Sequence, residues 1–483
     1  MAVSPSPQPT TVVPDLANIQ GNILAGFNKD NMAILALTFS SQVAGRKWIA
    51  GAATFAARHS EVADFNQLFK EINSRRGGEH GVLHATWVEV LLTGAGLQQL
   101  GIAQAEVQQL SPSLSAGMAN AAADLGDTDE SDPSKWVGPF GKNVVHAILI
   151  IASDTDHALR AEVSRRQHEA MLLGVEVGWI EEGHTLPQPL TGHEHFGFKD
   201  GISQPAVQGI DDDDPSGLGF VPIGEFVFGF PGADGQVRQV PGWAAGGTLV
   251  AFRRIHQDVA GFRAFMGQTA SSLAMDAAKV GAKLVGRWTS GAPADAAPDT
   301  DDPALAIDGA RNNHFDYSND TLGIRTPRFA HIRKANPRAG NPDSMADTQR
   351  RRIIRRGIPY GDPLPATGAT PEQEMSDRGL LFFCCQTSIE DQFAFIQKTW
   401  VNSPNFPGGD HPAPNVYKPP PVEPPDGEDP IEGMHHGHGH DNLKVDGQPD
   451  RQIALTQQFV TVTAGEYLFA PSIAQLAAWG GQT

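Results

Sequence analysis

An apolar strand, a periodic helix and a second apolar strand follow one another twice within the first 180 residues of this chain. That repeat limits the fold more than any other feature. Ala33 to Phe39 reads as a strand, Glu61 to Ile72 as a helix and Thr86 to Leu92 as a strand. Val144 to Ile151, Ala158 to Leu173 and Val175 to Ile180 then repeat the order. Two β-α-β passes, with antiparallel pairing available between them, predict a ferredoxin-like α+β sandwich. The second half repeats the theme more loosely. Thr248 to Phe252 leads into a helix around Asp258 to Met266, Leu380 to Cys385 leads into Glu390 to Trp400, and Glu466 to Phe469 is a last strand. We therefore expect two ferredoxin-like domains, residues 1–220 and 221–483.

Two stretches break the pattern. Ala292 to Ala366 is polar, rich in Asp, Asn, Arg and Pro, and has no clear period. A segment of that length without clear periodicity is usually functional or disordered, and because it contains both His331 and Arg355 we favour function. Residues 403–450 form an insertion that holds Lys418-Pro419-Pro420-Pro421 and then Met434-His435-His436-Gly437-His438-Gly439-His440. Its proline-rich part should be extended.

Composition excludes several classes. A chain of 483 residues that is 40% hydrophobic can bury a large core. No apolar run reaches 18 residues, so no membrane-spanning helix is expected. The net charge of −19 argues against nucleic acid and anionic membranes as partners. The first 14 residues lack the basic start and apolar core of a secretory signal, which leads us to expect a cytoplasmic protein. The only cysteines, Cys384 and Cys385, are neighbours. In a strand they point to opposite faces, so we read them as small buried hydrophobes. Assembly into an oligomer is left open.

Three segments carry the chemistry. Gly197-Phe198-Lys199-Asp200-Gly201 sets one carboxylate between glycines, where the backbone can come close to a flat ligand. A turn residue is the plain alternative for Asp200, but His193, His195, Phe196 and Phe198 are heavy aromatic investment for an exposed turn. His331 is one of 17 histidines, and the cations around it could be a simple basic patch. Arg333, Lys334 and Arg338 follow it closely, as the acidic arms of a bound group would require. Arg355 belongs to an arginine run that could be a solvated helix face, yet it stands two residues before Gly357, where the chain turns toward Pro359-Tyr360-Gly361.

Together these segments resemble the dye-decolourising peroxidases, haem enzymes with a ferredoxin-like fold. Gly197-Phe198-Lys199-Asp200-Gly201 matches the family's G-F-x-D-G signature, which implies that Asp200 is the distal acid. His331, in His-Ile-Arg-Lys-Ala-Asn-Pro-Arg, matches the proximal iron ligand, and Arg355 matches the distal arginine. The likeness covers most of the chain. Ile19-Gln20-Gly21-Asn22-Ile23-Leu24 looks like the opening segment, and Gly286 to Pro293 with Arg311-Asn312-Asn313 looks like the longer, elaborated branch. The resemblance implies haem b as cofactor, with Phe198, Gly201, Arg333, Leu381 and Phe383 around it and Asp429 as the carboxylate behind His331. One departure stands before the ligand. The family often has Cys-Pro-Phe there, whereas this chain has Thr326-Pro327-Arg328-Phe329.

The activity so implied is reduction of hydrogen peroxide with one-electron oxidation of phenolic, dye-like or other aromatic donors. An acid in the distal role stays a competent base at lower pH than an imidazole, so turnover at acidic pH is expected. Tyr360 and Trp400 are candidate relays for electrons from bulky donors, with core packing as the simpler reading. Two further functions fit parts of the sequence. A haem carrier or iron-releasing protein would use the same pocket without turnover, and residues 435–440 could hold a transition metal.

Overall fold

The strands Ala147–Ser153 and Thr248–Gln257 are buried almost end to end, as happens when both faces of a sheet are covered. In the computed structural model, which describes residues 14–75, 83–342, 344–407, 427–434, 439–445 and 449–481, the strands run in chain order as follows. They are β1 (Asn31–Phe39), β2 (Thr86–Thr93), β3 (Ala147–Ser153), β4 (Val175–His184), β5 (Thr248–Gln257), β6 (Ile354–Arg355), β7 (Ile358–Tyr360), β8 (Gly379–Gln386), β9 (Gly439–Leu443), β10 (Arg451–Leu455) and β11 (Val460–Ala470). Nine of them form one antiparallel sheet in the order β4-β1-β3-β2-β11-β5-β8-β6, with β7 also on β8. β9 and β10 form a separate hairpin.

The last long strand joins the two halves. β11 runs along β5 over its whole length but meets β2 only through Leu468 with Thr93 and Phe469 with Leu92. Helices are started by side chains that accept the first free N–H groups. Ser41 does so for Gln42–Phe55, Thr155 for Asp156–Leu172 and Asp258 for Val259–Leu273.

The sequence-based bounds differ from these in places. The strand expected from Val144 begins only at Ala147, because Val145 is held by its carbonyl to the Thr93 hydroxyl before the ladder starts. Glu466 to Phe469 is the end of a strand more than twice as long. Glu390 to Trp400 lies in a wide, π-type coil over Ile389–Phe393 and Ile396–Val401. Such widened turns often mark functional sites. No helix among the described residues is long and apolar enough to cross a membrane.

Three buried carboxyls make stability depend on pH. Burial pushes Glu89, Glu194 and Glu466 from 4.5 to about 7, against the hydrogen bonds that each accepts. Below pH 4.5 each is protonated folded or unfolded, and their contribution is fully present. Between 4.5 and 7 the folded chain holds protons the unfolded chain has released, so stability falls as pH rises. Glu466 accepts only from the N–H groups of Met118 and Tyr467, which a glutamine oxygen can replace. Glu466→Gln should therefore remove part of the fall, at most about 3 kcal/mol. Thermal unfolding from pH 5 to 8 checks this, and superimposable curves for variant and parent would refute it.

Candidate active site

The loop that carries Asp200 is pinned from inside. Glu194 accepts from the N–H of Phe196 through one oxygen and from that of Phe198 through the other, each at 2.8 Å, and Gln257 adds a third donor at 2.6 Å. Gly197 (φ 96°) and Gly201 (φ 77°) take left-handed turns that a side chain would strain. The Asp200 amide bonds to the Gly192 carbonyl, and its carboxylate accepts from Gly201 N–H at 2.6 Å.

Arg355 reaches the same place from β6. Its Nη1 lies 3.4 Å from Asp200 Oδ1. The backbone pairing behind this contact is closer. Gln204 accepts from Arg355 N–H at 3.1 Å and donates to the Arg355 carbonyl at 3.0 Å, so a side-chain amide acts as a strand partner. Arg356, next along, is spent on the opening segment, donating to the carbonyls of Asn22, Ile23 and Leu24. That is what Ile19 to Leu24 does here: it anchors the strand that bears Arg355.

His331 opens the short helix His331–Ala335. Its Nδ1 lies 2.8 Å from Asp429 Oδ2, and the side chain is 27% exposed on its cavity side while Asp429 is fully buried. Burial alone would lower the imidazole, but the Asp429 carboxylate outweighs it and pushes His331 up to about 9. Asp429 is fixed in turn by the N–H groups of Ile431 and Glu432 on its other oxygen. The aperiodic 292–366 segment is ordered by buried polar bonds instead of by a repeat. Asp320 alone accepts from the N–H groups of Ile324, Arg325 and Thr326 and from Arg333.

Asp200, Arg355 and His331 all line one cavity of about 1730 Å³ of empty space, part of it open to solvent. Asp200 and Arg355 touch each other, and His331 has no hydrogen bond to either. Phe198 and Gly201 line the cavity as expected, and Ile332, Val285 and Ile431 add apolar wall. Nε2 of His331 has no hydrogen bond among the described residues. A wide apolar cleft with one imidazole nitrogen left for a metal fits an iron tetrapyrrole.

Three of the expected contacts are corrected. Leu381 and Phe383 do not line the cavity. They are 0% and 1% exposed in the main core, and Leu380 and Phe382 face the cavity in their place. Successive strand residues point to opposite faces, so a one-residue error in parity exchanges the whole set. Arg333 is also not at the cavity. Its guanidinium is buried on Asp320 and the Thr326 carbonyl and lies over the Tyr317 ring, because the Asp320 loop takes it up. Lys334 donates to the carbonyls of Ser403 and Phe406. Of the three cations that closely follow His331, namely Arg333, Lys334 and Arg338, only Arg338 lines the cavity.

His193 and His195 turn away to the carbonyls of Thr289 and Tyr360. Burial lowers His195 to about 4, which leaves it neutral. Tyr360 is buried, donates to Asp377 and sits under Arg254. Trp400 is buried, lines the cavity and stacks on Phe406 at 5.1 Å. In the histidine-rich run, residues 435–438 lie outside the described residues, and no group of three or more metal-ligating side chains occurs among the described ones.

Strand parity makes a direct prediction. Leu381→Ala should lower stability by ~2–5 kcal/mol, as a core truncation does, without changing the cavity. Leu380→Ala should change cofactor uptake or turnover at a smaller cost in stability. Thermal unfolding together with haem titration separates them, and the reverse pattern would show that the parity is wrong.

Known proteins resemble this chain over nearly its whole length. Residues 18–178 match the DyP dimeric alpha+beta barrel domain, and residues 193–406 match the Dyp-type peroxidase C-terminal domain. Peroxidase 2 of Mycetinis scorodonius is 33% identical over 96% of this chain and 87% of its own length. Among solved structures, an ancestral D-type dye-decolorizing peroxidase superposes with a TM-score of 0.83 at 33% identity, covering 96% of this chain and 99% of that one. A dye-decolorizing peroxidase in complex with 2,6-dimethoxyphenol gives 0.79 at 31% identity, covering 96% and 99%. Both family domains in order, and full-length likeness above 30% identity, mean that the chain belongs to the dye-decolourising peroxidase family.

Proposed function

We propose that the cavity binds haem b, whose iron His331 would hold, and that Asp200 and Arg355 act on hydrogen peroxide there. The protein is a peroxidase of a haem-dependent family, an oxidoreductase that uses hydrogen peroxide and oxidises aromatic donors. The observation that carries the assignment of roles is the Asp200–Arg355 contact in the same cavity as the His331–Asp429 pair. The haem, when bound, would supply the redox-active iron that passes the two oxidising equivalents of hydrogen peroxide to the donors.

The chain's residues do the rest. Asp429 accepts the Nδ1 proton of His331 in a hydrogen bond, which points Nε2 at the cavity and raises its basicity, so that iron would take the place of a proton there. Asp200, on a loop that Glu194 holds, takes a proton from one peroxide oxygen and returns it to the other. Arg355, held by Gln204, orients the leaving oxygen and stabilises its developing charge. Phe198, Gly201, Leu380 and Phe382 form part of the cavity wall that would hold the cofactor.

Phenols of the 2,6-dimethoxyphenol type are the donor class we propose, by the likeness to the solved complex. We read the chain as two units meeting near residue 220, the first bearing Asp200 and the second His331 and Arg355. The compartment we propose is the cytoplasm, a reading that the two free thiols Cys384 and Cys385 support. The test is to titrate purified protein with haem and assay 2,6-dimethoxyphenol oxidation with and without peroxide. We expect a histidine-ligated Soret band and strictly peroxide-dependent turnover, both lost in His331→Ala. Haem uptake without turnover would leave a carrier, and no uptake would end the reading.

A further inference from the structure

The cavity carries more buried positive charge than its acids balance. Arg287, Arg338 and Arg352 all line it, are 4%, 2% and 7% exposed, and form no ion pair with a described carboxylate. Other buried guanidiniums of this chain do find one. Arg253 pairs with Asp127, Arg333 with Asp320, and Arg254 with Glu181 and Asp377.

The three at the cavity differ in how their donors are used. Arg287 donates to the carbonyls of Gly291 and Asn312 and to the Asn313 side chain. Arg338 donates to the carbonyls of Asn313 and Phe315, to the Asn313 side chain and to the Ser203 hydroxyl. The Arg352 side chain makes a single bond, from Nη2 to the Ser203 carbonyl at 3.5 Å, the outer limit of such a contact. A guanidinium has five N–H donors, so most of its capacity is unused. Burial first, then repulsion from Arg338 and Arg355, brings Arg352 down to about 9, with Asp214 opposing.

A buried cation without a partner is unfavourable, and a carboxylate removes the penalty. The planar fork of arginine matches a carboxylate with two parallel bonds. We propose that Arg352, with Arg338 beside it, is the carboxylate-receiving end of the cavity and pairs with an acidic arm of the tetrapyrrole. This rests on the haem-binding reading above. It moves the anion contact from Arg333 to a residue nineteen positions later. It also ties that contact to the acid loop, because Ser203 bonds both arginines and stands three residues after Asp200.

The test uses the full-length chain freed of cofactor and titrated with metal-free protoporphyrin IX and with its dimethyl ester, followed by tryptophan quenching. Without iron, any contribution of His331 is the same for both ligands. The parent should bind the diacid about tenfold or more tightly than the diester, as a charge-assisted pair requires. In Arg352→Gln that ratio should fall at least severalfold. Arg352→Lys should retain part of it, and Arg333→Gln should leave it at the parental value. Equal binding of acid and ester by the parent would overturn the proposal without reliance on any variant. So would a parental ratio in Arg352→Gln. Failure of the parent to take up haem or either porphyrin is a different result, and it would overturn the haem reading itself.

Discussion

Asp200→Asn should slow peroxide-dependent oxidation by about 10²–10⁴-fold while haem uptake stays at the parental level. The expectation follows from position. Asp200 shares its cavity with His331 but touches only Arg355 and its own loop, so its loss removes a proton carrier and leaves the His331–Asp429 pair intact. An asparagine keeps the oxygen that accepts from Gly201 N–H and Arg355, so the loop and the arginine should stay in place. Arg355→Leu should cost about 10²–10³-fold by removing the donor that meets the developing charge. The double variant should lose little beyond the worse single one, because groups that act on one step are strongly non-additive. Stopped-flow decay of the Soret band on adding peroxide, with donor oxidation measured in parallel, reads both effects. Near-parental peroxide reactivity in Asp200→Asn would remove that carboxylate from the mechanism.

Asp429→Asn should weaken haem retention or activity about 10–100-fold, the usual consequence of losing a carboxylate behind a histidine ligand. The physical reason is the tautomer. Asp429 Oδ1 is occupied by the N–H groups of Ile431 and Glu432, which leaves Oδ2 for His331. In the variant the remaining oxygen should stay on those two amides and turn the new NH₂ group toward His331 Nδ1. Two donors cannot share that bond, so the ring is driven to carry its proton on Nε2, the nitrogen that iron needs. Haem titration and the position of the Soret band report this directly. Parental affinity and an unshifted band in Asp429→Asn would mean that another group orients the imidazole.

Much of this was legible from residue order. Strand and helix periods are local, so the paired β-α-β passes and the α+β class could be read before any contact was known. Motif identity is also local, and Asp200, His331, Arg355 and Asp429 reach their positions because short segments carry them.

Where a choice lay between neighbours, the sequence was silent. Leu380 and Leu381 are the same residue type one position apart, and only the packing of the two faces of β8, one on the core and one on the cavity, decides which of them lines the cavity. Arg333 and Arg352 are equally cationic on paper. The Asp320 loop claims the first, and the second is left without a carboxylate. Gln204 and Glu194 bond backbone groups that are unremarkable in the sequence, so nothing marked them before the loop closed onto β6. Local order determined the elements and the reacting groups. Tertiary structure alone determined facing, pairing and charge balance, because these depend on which distant atoms consume each donor and which side of a sheet is already filled.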